Sequence, residues 1–570
     1  MERAQQPSIE TQIQGQAQVK VFYLQELRSH IAQYLDLKYI AACCLVSQQW
    51  HRDWSPICWR DVRHKEPSDF TRNGHLIRTM ELWSSSKFRP LADIRDHCPN
   101  LLSLKYIDFH LKAPAFEMAL GFKPGHSLSS PTISEPELMK EQNQRNRVED
   151  AKVLDLQSQF DPLKSLELFL PSEACEIVLP RLIQAKRAGQ LQNLRSFRMS
   201  ITRIFYTCIM APLEKPRYLK LSDILTFLDE LPDLKTFSTC EIMTTDDEEA
   251  EEFVQPTELE YSNTDKTGEY HRLTNLEIAP KKPSIFERLV SRTPHLTSLS
   301  VHCVGTINLF PLIQQYCPNL ISLELDMESM HYQSNPIIDK QSLDQEQKYC
   351  DWILLFKSLP KLEEFSGIYI SMPMVVLQAL ATSCPRLSYF KTCEDSNLSA
   401  PGISYLLQKC LALKKLTVDQ DYNADLFKGD QPWKAPLEGL CLNAVSLLNS
   451  EDCDIFRERM RQLPQLKSLK IEYAANMQTQ AFLEPNKKAC PKALESFAHN
   501  IGTESGNDAS KTAFPNLESL TLGFFVGRSE ETFQAFVDAM PHLNHLAVGD
   551  VYNREAILQA RNRHINHGIP

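Results

Sequence analysis

The chain has 570 residues, of which 42% are hydrophobic and 23% charged, and its formal net charge is −11. That composition belongs to a soluble globular protein, and its acidity disfavours a nucleic-acid backbone as partner. No run of about 18 apolar residues is present to span a membrane, and the length exceeds what one compact core holds.

In chain order, residues 1–20 are polar and Gln-rich and read as a disordered tail without the apolar centre of a secretory leader. The 16 cysteines are therefore read as reduced thiols buried in apolar segments of a cytoplasmic or nuclear protein. Residues 21–62 form a separate helical module. Leu24, Leu27, Ile31 and Leu35 recur at three and four and predict one helical stripe. Ile40, Cys43, Val46 and Trp50 predict a second. Trp50, Trp54 and Trp59 are half of the chain's 6 tryptophans. A module this short holds little core of its own and gains stability by docking on another surface.

From residue 63 to 570 a phrase recurs: apolar residue, proline, then Leu-x-x-Leu-x-apolar. It reads Cys317-Pro318-Asn319-Leu320-Ile321-Ser322-Leu323-Glu324-Leu325, and returns around Leu296, Leu387, Leu517 and Leu543. Leu273, Leu296 and Leu320, and likewise Leu362, Leu387, Leu413 and Leu437, are 23 to 26 residues apart. Leu323 and Leu325 share one strand face, whereas Ile285, Leu289 and Val290 upstream of Pro294 follow a helical spacing. Proline cannot extend the helix, so each unit reads as helix, proline-marked turn and short strand. Segments 121–150 and 244–267 are polar or acidic and read as disordered insertions.

Residues between the leucines point away from the core, by the strand period of two. The candidate target surface is therefore Glu277, Ser298, Ser300, Ser322, Glu324 and Asp326, followed by Lys391, Lys415 and Lys470. It is acidic in its first part and basic in its second. No phosphate-loop, nucleophile-elbow, zinc-protease or C-x-x-C pattern occurs, so neither catalytic residues nor a metal or cofactor site is assigned.

The phrase and its period resemble the leucine-rich-repeat family. That resemblance implies an α/β solenoid with a curved parallel sheet. Within the N-terminal module, Glu26-Leu27, Ile31, Tyr34-Leu35, Asp36-Leu37, Val46-Ser47, Trp50 and Trp59 resemble, in order, the motif of an F-box. This second resemblance implies the substrate receptor of a Skp–cullin–F-box ubiquitin ligase. Leu24, Leu27, Ile31, Leu35, Leu37, Val46, Trp50 and Trp59 would face a Skp-type adaptor that leads to cullin. The repeats would hold the target, and no residue of this chain would perform covalent chemistry. A competing reading keeps the module as a cap on a scaffold with no ubiquitin role. Nucleic-acid and membrane partners are not expected.

Overall fold

The computed structural model describes residues 30–32, 34–35, 37–64, 70–84, 94, 97–108, 162–170, 172–201, 218–245, 269–302, 309–326, 345–368, 370, 372–393, 398, 400–423, 432–446, 458–460, 462–471, 516–525 and 542–551. The chain forms two compact units, Met1–Leu273 and Thr274–Pro570.

The first unit opens with α1 (Leu37–Cys44) and α2 (Gln48–Cys58). The expected helical stripe through Ile40, Cys43, Val46 and Trp50 is broken between them. Ser47 is extended, and its side chain accepts a hydrogen bond from the Trp50 amide at 3.1 Å. A serine in that position starts a new helix by satisfying an orphan amide. Val46 therefore lies in the turn, not on a helix. Ile40 and Trp54 are buried, and Trp50 stacks on Trp54 at 5.9 Å.

Strands β1 (Asp61–His64), β2 (Thr79–Ser84), β3 (Ser103–Asp108), β4 (Ser165–Leu170) and β5 (Ser196–Ile201) follow. Each pairs in parallel with the next. β5 then pairs with β7 (Thr236–Thr245), and the short β6 (Tyr218–Lys220) pairs with the far end of β7. Thr244 and Thr245, read from the sequence as the start of an insertion, instead close β7, and Thr244 is fully buried. The rest of that insertion, 246–267, lies outside the described residues, as do 121–150, the tail 1–20, Leu24 and Leu27. The array starts at β1, two residues earlier than the boundary at 63.

The second unit repeats one motif. β8 (Asn275–Pro280), β9 (Ser298–His302), β10 (Ser322–Asp326), β11 (Glu364–Ile368), β12 (Tyr389–Cys393), β13 (Lys415–Asn423), β14 (Gly439–Ser446), β15 (Ser468–Ile471), β16 (Ser519–Phe525) and β17 (His545–Val551) pair in parallel in chain order. Between the earlier strands run α3 (Pro283–Val290), α4 (Phe310–Tyr316), α5 (Gln345–Ser358), α6 (Met374–Ser383) and α7 (Ala400–Lys409).

The repeated phrase explains the motif. Pro283 sits at the start of α3, where its missing amide costs nothing, and Ile285, Phe286, Leu289 and Val290 bury one face. The helix leads into a four-residue turn. In Cys317-Pro318-Asn319-Leu320 the Leu320 amide donates to the Cys317 carbonyl at 3.3 Å, and in Cys384-Pro385-Arg386-Leu387 the same bond is 3.1 Å. Proline after the first turn residue presets that geometry. In the strand, Leu299 and Val301, like Leu323 and Leu325, are buried while their neighbours alternate outward. Successive repeats are locked by a backbone ladder at the strand entrance: Ile321 donates to Thr297 at 2.7 Å, Glu363 to Ile321 at 2.8 Å and Ser388 to Glu363 at 2.7 Å. A repeat satisfies these groups only through its neighbour, so stacking and folding are one event.

The core of the second unit is aromatic as well as aliphatic. Phe310, Trp352, Phe356, Phe365 and Phe390 form a continuous chain of ring contacts, with centroids 4.5 to 6.1 Å apart. The turn cysteines are structural. Cys98, Cys317, Cys384 and Cys410 are buried and unbridged, and burial pushes each thiol up to about 12. Cys384 donates weakly to the carbonyls of Phe356 and Leu359, at 3.7 and 3.6 Å, and so ties one repeat to the preceding one.

Candidate functional site

Two surfaces stand out. The first is the helical pair of the N-terminal module. Tyr34, Tyr39, Leu45 and Val46 are 77%, 53%, 86% and 64% exposed. Leu45 and Val46 form the turn that Ser47 terminates, and Tyr39 lies on α1. Of the residues expected to meet an adaptor, Ile31, Leu35, Trp50 and Trp59 are half-buried, and Val46 is exposed. Leu37 begins α1. Tyr39 and Leu45 were not singled out from sequence. A helical stripe drawn through Val46 passes over both: Tyr39 is an exposed residue of α1, and Leu45 lies in the turn that follows it.

The second surface is the sheet face of the second unit that points away from the buried leucines. Glu277, Ser298, Ser300, Ser322, Glu324, Asp326, Lys391 and Lys470 are half-buried on this face, and Lys415 is exposed. The parallel register aligns Glu277, Ser300, Glu324, Ser366 and Lys391 across β8 to β12 in one row.

At the acidic end of that row sits His302, which sequence reasoning passed over. Extending the period of two from Ser298 and Ser300 places it on the same face. Its Nε2 lies 3.2 Å from Glu277 Oε1, and its Nδ1 lies 3.0 Å from Asp326 Oδ2. The three side chains are only 16%, 19% and 14% exposed. Both ring nitrogens therefore face carboxylate oxygens, and both can donate only as the imidazolium. One histidine thus clasps three adjacent strands. Glu324 is held differently. Its oxygens accept from the Ser300 hydroxyl at 3.2 Å and the Ser366 hydroxyl at 3.4 Å.

Ser300 Oγ is also 3.2 Å from His302 Nε2, which with Asp326 gives the order of a nucleophile relay. The surroundings oppose that chemistry. Nε2 is shared with Glu277, and the Ser300 proton is directed to Glu324. The amides of these strands are spent in the ladder, so among the described residues of β8 to β10 none is left to aim at a developing oxyanion. What the face can do is present fixed charges to another molecule. A polar cavity of about 610 Å³ at the strand entrances, lined by Glu438, Gln465, Lys467, Asn516, Glu518, His542 and Asn544, holds its own Glu438–Lys467 pair at 3.6 Å. Among the described residues no helix is long and apolar enough to cross a membrane.

The repeated helix–turn–strand motif and its parallel sheet define an α/β fold of the leucine-rich-repeat type. No family model and no curated protein matches the chain. Among solved structures, the chain is similar to the Rad7 and Elc1 complex in yeast at 12% identity and a TM-score of 0.34, covering 73% of this chain and 87% of that one. It is similar to a TLR13–ssRNA13 complex at 13% identity and a TM-score of 0.36, covering 86% of this chain and 59% of that one. At TM-scores this low neither likeness bears on function.

Proposed function

We propose that this chain is the non-catalytic substrate receptor of a ubiquitin ligase of the Skp–cullin–F-box type. Its N-terminal helical pair docks a Skp-type adaptor, and its repeat array holds the target protein. The observation that carries this reading is the exposed apolar set Tyr34, Tyr39, Leu45 and Val46 on a small helical module ahead of a repeat array. Apolar side chains gathered on one small module mark a contact surface, whereas singly scattered ones need no partner. Ubiquitin transfer would then follow from proximity, because the receptor raises the target's local concentration beside a conjugating enzyme.

The test is co-purification of the full-length chain with a Skp-type adaptor and cullin. Leu45→Asp together with Val46→Asp should abolish capture, because two carboxylates would be desolvated at the contact. Both side chains are exposed, so the far-ultraviolet circular dichroism and thermal midpoint should stay those of the parent. Failure of the parent chain to capture the adaptor, or undiminished capture by the double variant, would overturn the assignment.

A further inference from the structure

Resting on that reading of the repeat array as the target-binding part, we infer that the open sheet face of the second unit docks an extended segment of the target that carries basic residues at one end and acidic residues at the other, and that His302 grades this docking with pH. The face is bipolar. Glu277, Glu324, Asp326 and Glu364 lie on β8 to β11, and Lys391, Lys415 and Lys470 on β12 to β15. Complementary charge on a partner orients it and raises its association rate.

Glu324 is the centre of the basic-seeking end. It is half-buried, its two oxygens are oriented by serine hydroxyls from the strands on either side, and no hydroxyl neutralises it. A carboxylate with both oxygens fixed is suited to a guanidinium. Lys391 lies on β12, two strands along the same row. At about 4.8 Å per strand this separation is about 10 Å, which an extended chain covers in about three residues. The segment sought therefore crosses the strands with a basic residue and, about three positions away, an acidic one.

His302 sets the strength of the acidic end. Among the described residues it faces Glu277 from β8, Ser300 beside it on β9, and Asp326 from β10, with Glu324 next in the network. Protonated, it neutralises one of the three carboxylates and holds two of them. As pH rises and the proton leaves, the cluster becomes one unit more negative and one carboxylate is released. Affinity for the basic end should therefore rise with pH.

The test uses the full-length protein and two fluorescein-labelled peptides of equal composition, one with the order Arg-Arg-Ser-Asp-Asp and one with Arg-Asp-Ser-Arg-Asp, each flanked by Gly and Ser. Fluorescence anisotropy should show the first binding at least about fivefold more tightly, the ratio expected of one additional charge contact. Glu324→Gln and, from the opposite pole, Lys391→Gln should each remove that preference. Glu167→Gln, on the corresponding face of the first unit, should not. Carboxylates at both ring nitrogens favour the His302 imidazolium, so its proton leaves above the ordinary histidine range. In a titration carried from about pH 6 up to about pH 9, the parent should bind more tightly at the higher pH, and His302→Gln should flatten that gradient. Equal binding of the two peptides, equal effects of Glu324→Gln and Glu167→Gln, or an unchanged gradient in His302→Gln would overturn the inference. Adaptor capture is read separately, so this face can fail while the receptor assignment stands.

Discussion

The two units build the same sheet face from the same backbone and treat its charges in opposite ways. In the first unit the register aligns Arg63, Glu81, Lys105, Glu167, Arg198 and Ser238 across β1 to β5 and β7. The signs alternate strand by strand. Glu81 lies 3.9 Å from Arg63 and 3.4 Å from Lys105, so it meets an opposite charge on each neighbouring strand. In the second unit the aligned row reads Glu277, Ser300, Glu324, Ser366, Lys391, Thr417, Cys441 and Lys470. Neutral residues stand between like charges, and the acidic side chains are managed by hydroxyls and by one histidine. Alternation spends charge on the fold. Segregation leaves a field for another molecule to answer.

The largest effect should show what the units have in common. Phe237 in the first and Phe365 in the second are fully buried and in contact with other rings. Replacing either by alanine should cost about 3–5 kcal/mol, measured by urea unfolding followed by circular dichroism. A response in only one unit would mean that the two sheets do not rest on equivalent cores.

The charge contrast should appear at a smaller scale. Glu81→Gln should lower stability by about 0–1 kcal/mol, and added salt should erase the difference, because the pairs it breaks are partly solvated. Glu324→Gln should leave the unfolding midpoint unchanged and act on binding instead. A stability loss at Glu324 larger than at Glu81 would place the second row in the fold's service and remove the contrast.

The smallest effect concerns reactivity and should be common to both units. Burial holds the Cys98, Cys317, Cys384 and Cys410 thiols at about 12, so at about pH 8 they remain protonated. Iodoacetamide should label the exposed Cys350 in the native protein and reach these four only after denaturation, as read by peptide mass mapping. Native labelling of Cys317 or Cys384 would show that the turn opens locally.

Much of this was legible in the chain. The Cys-Pro-x-Leu phrase encodes a turn whose hydrogen bond closes between its first and fourth residues, and the period of two assigns Leu323 inward and Glu324 outward without reference to any other repeat. Local geometry decides both, so sequence suffices. Tertiary structure alone decided what depends on distant partners. The turn at Ser47 shifts Val46 off a helix and exposes Leu45 beside it. β5 skips the short β6 to pair with β7, whose far end takes β6. His302 meets Glu277 and Asp326 only because parallel register brings residues 24 and 25 positions away into hydrogen-bond reach. A strand's own sequence states which face a side chain takes, but which charge stands beside it is set by the length and register of everything between.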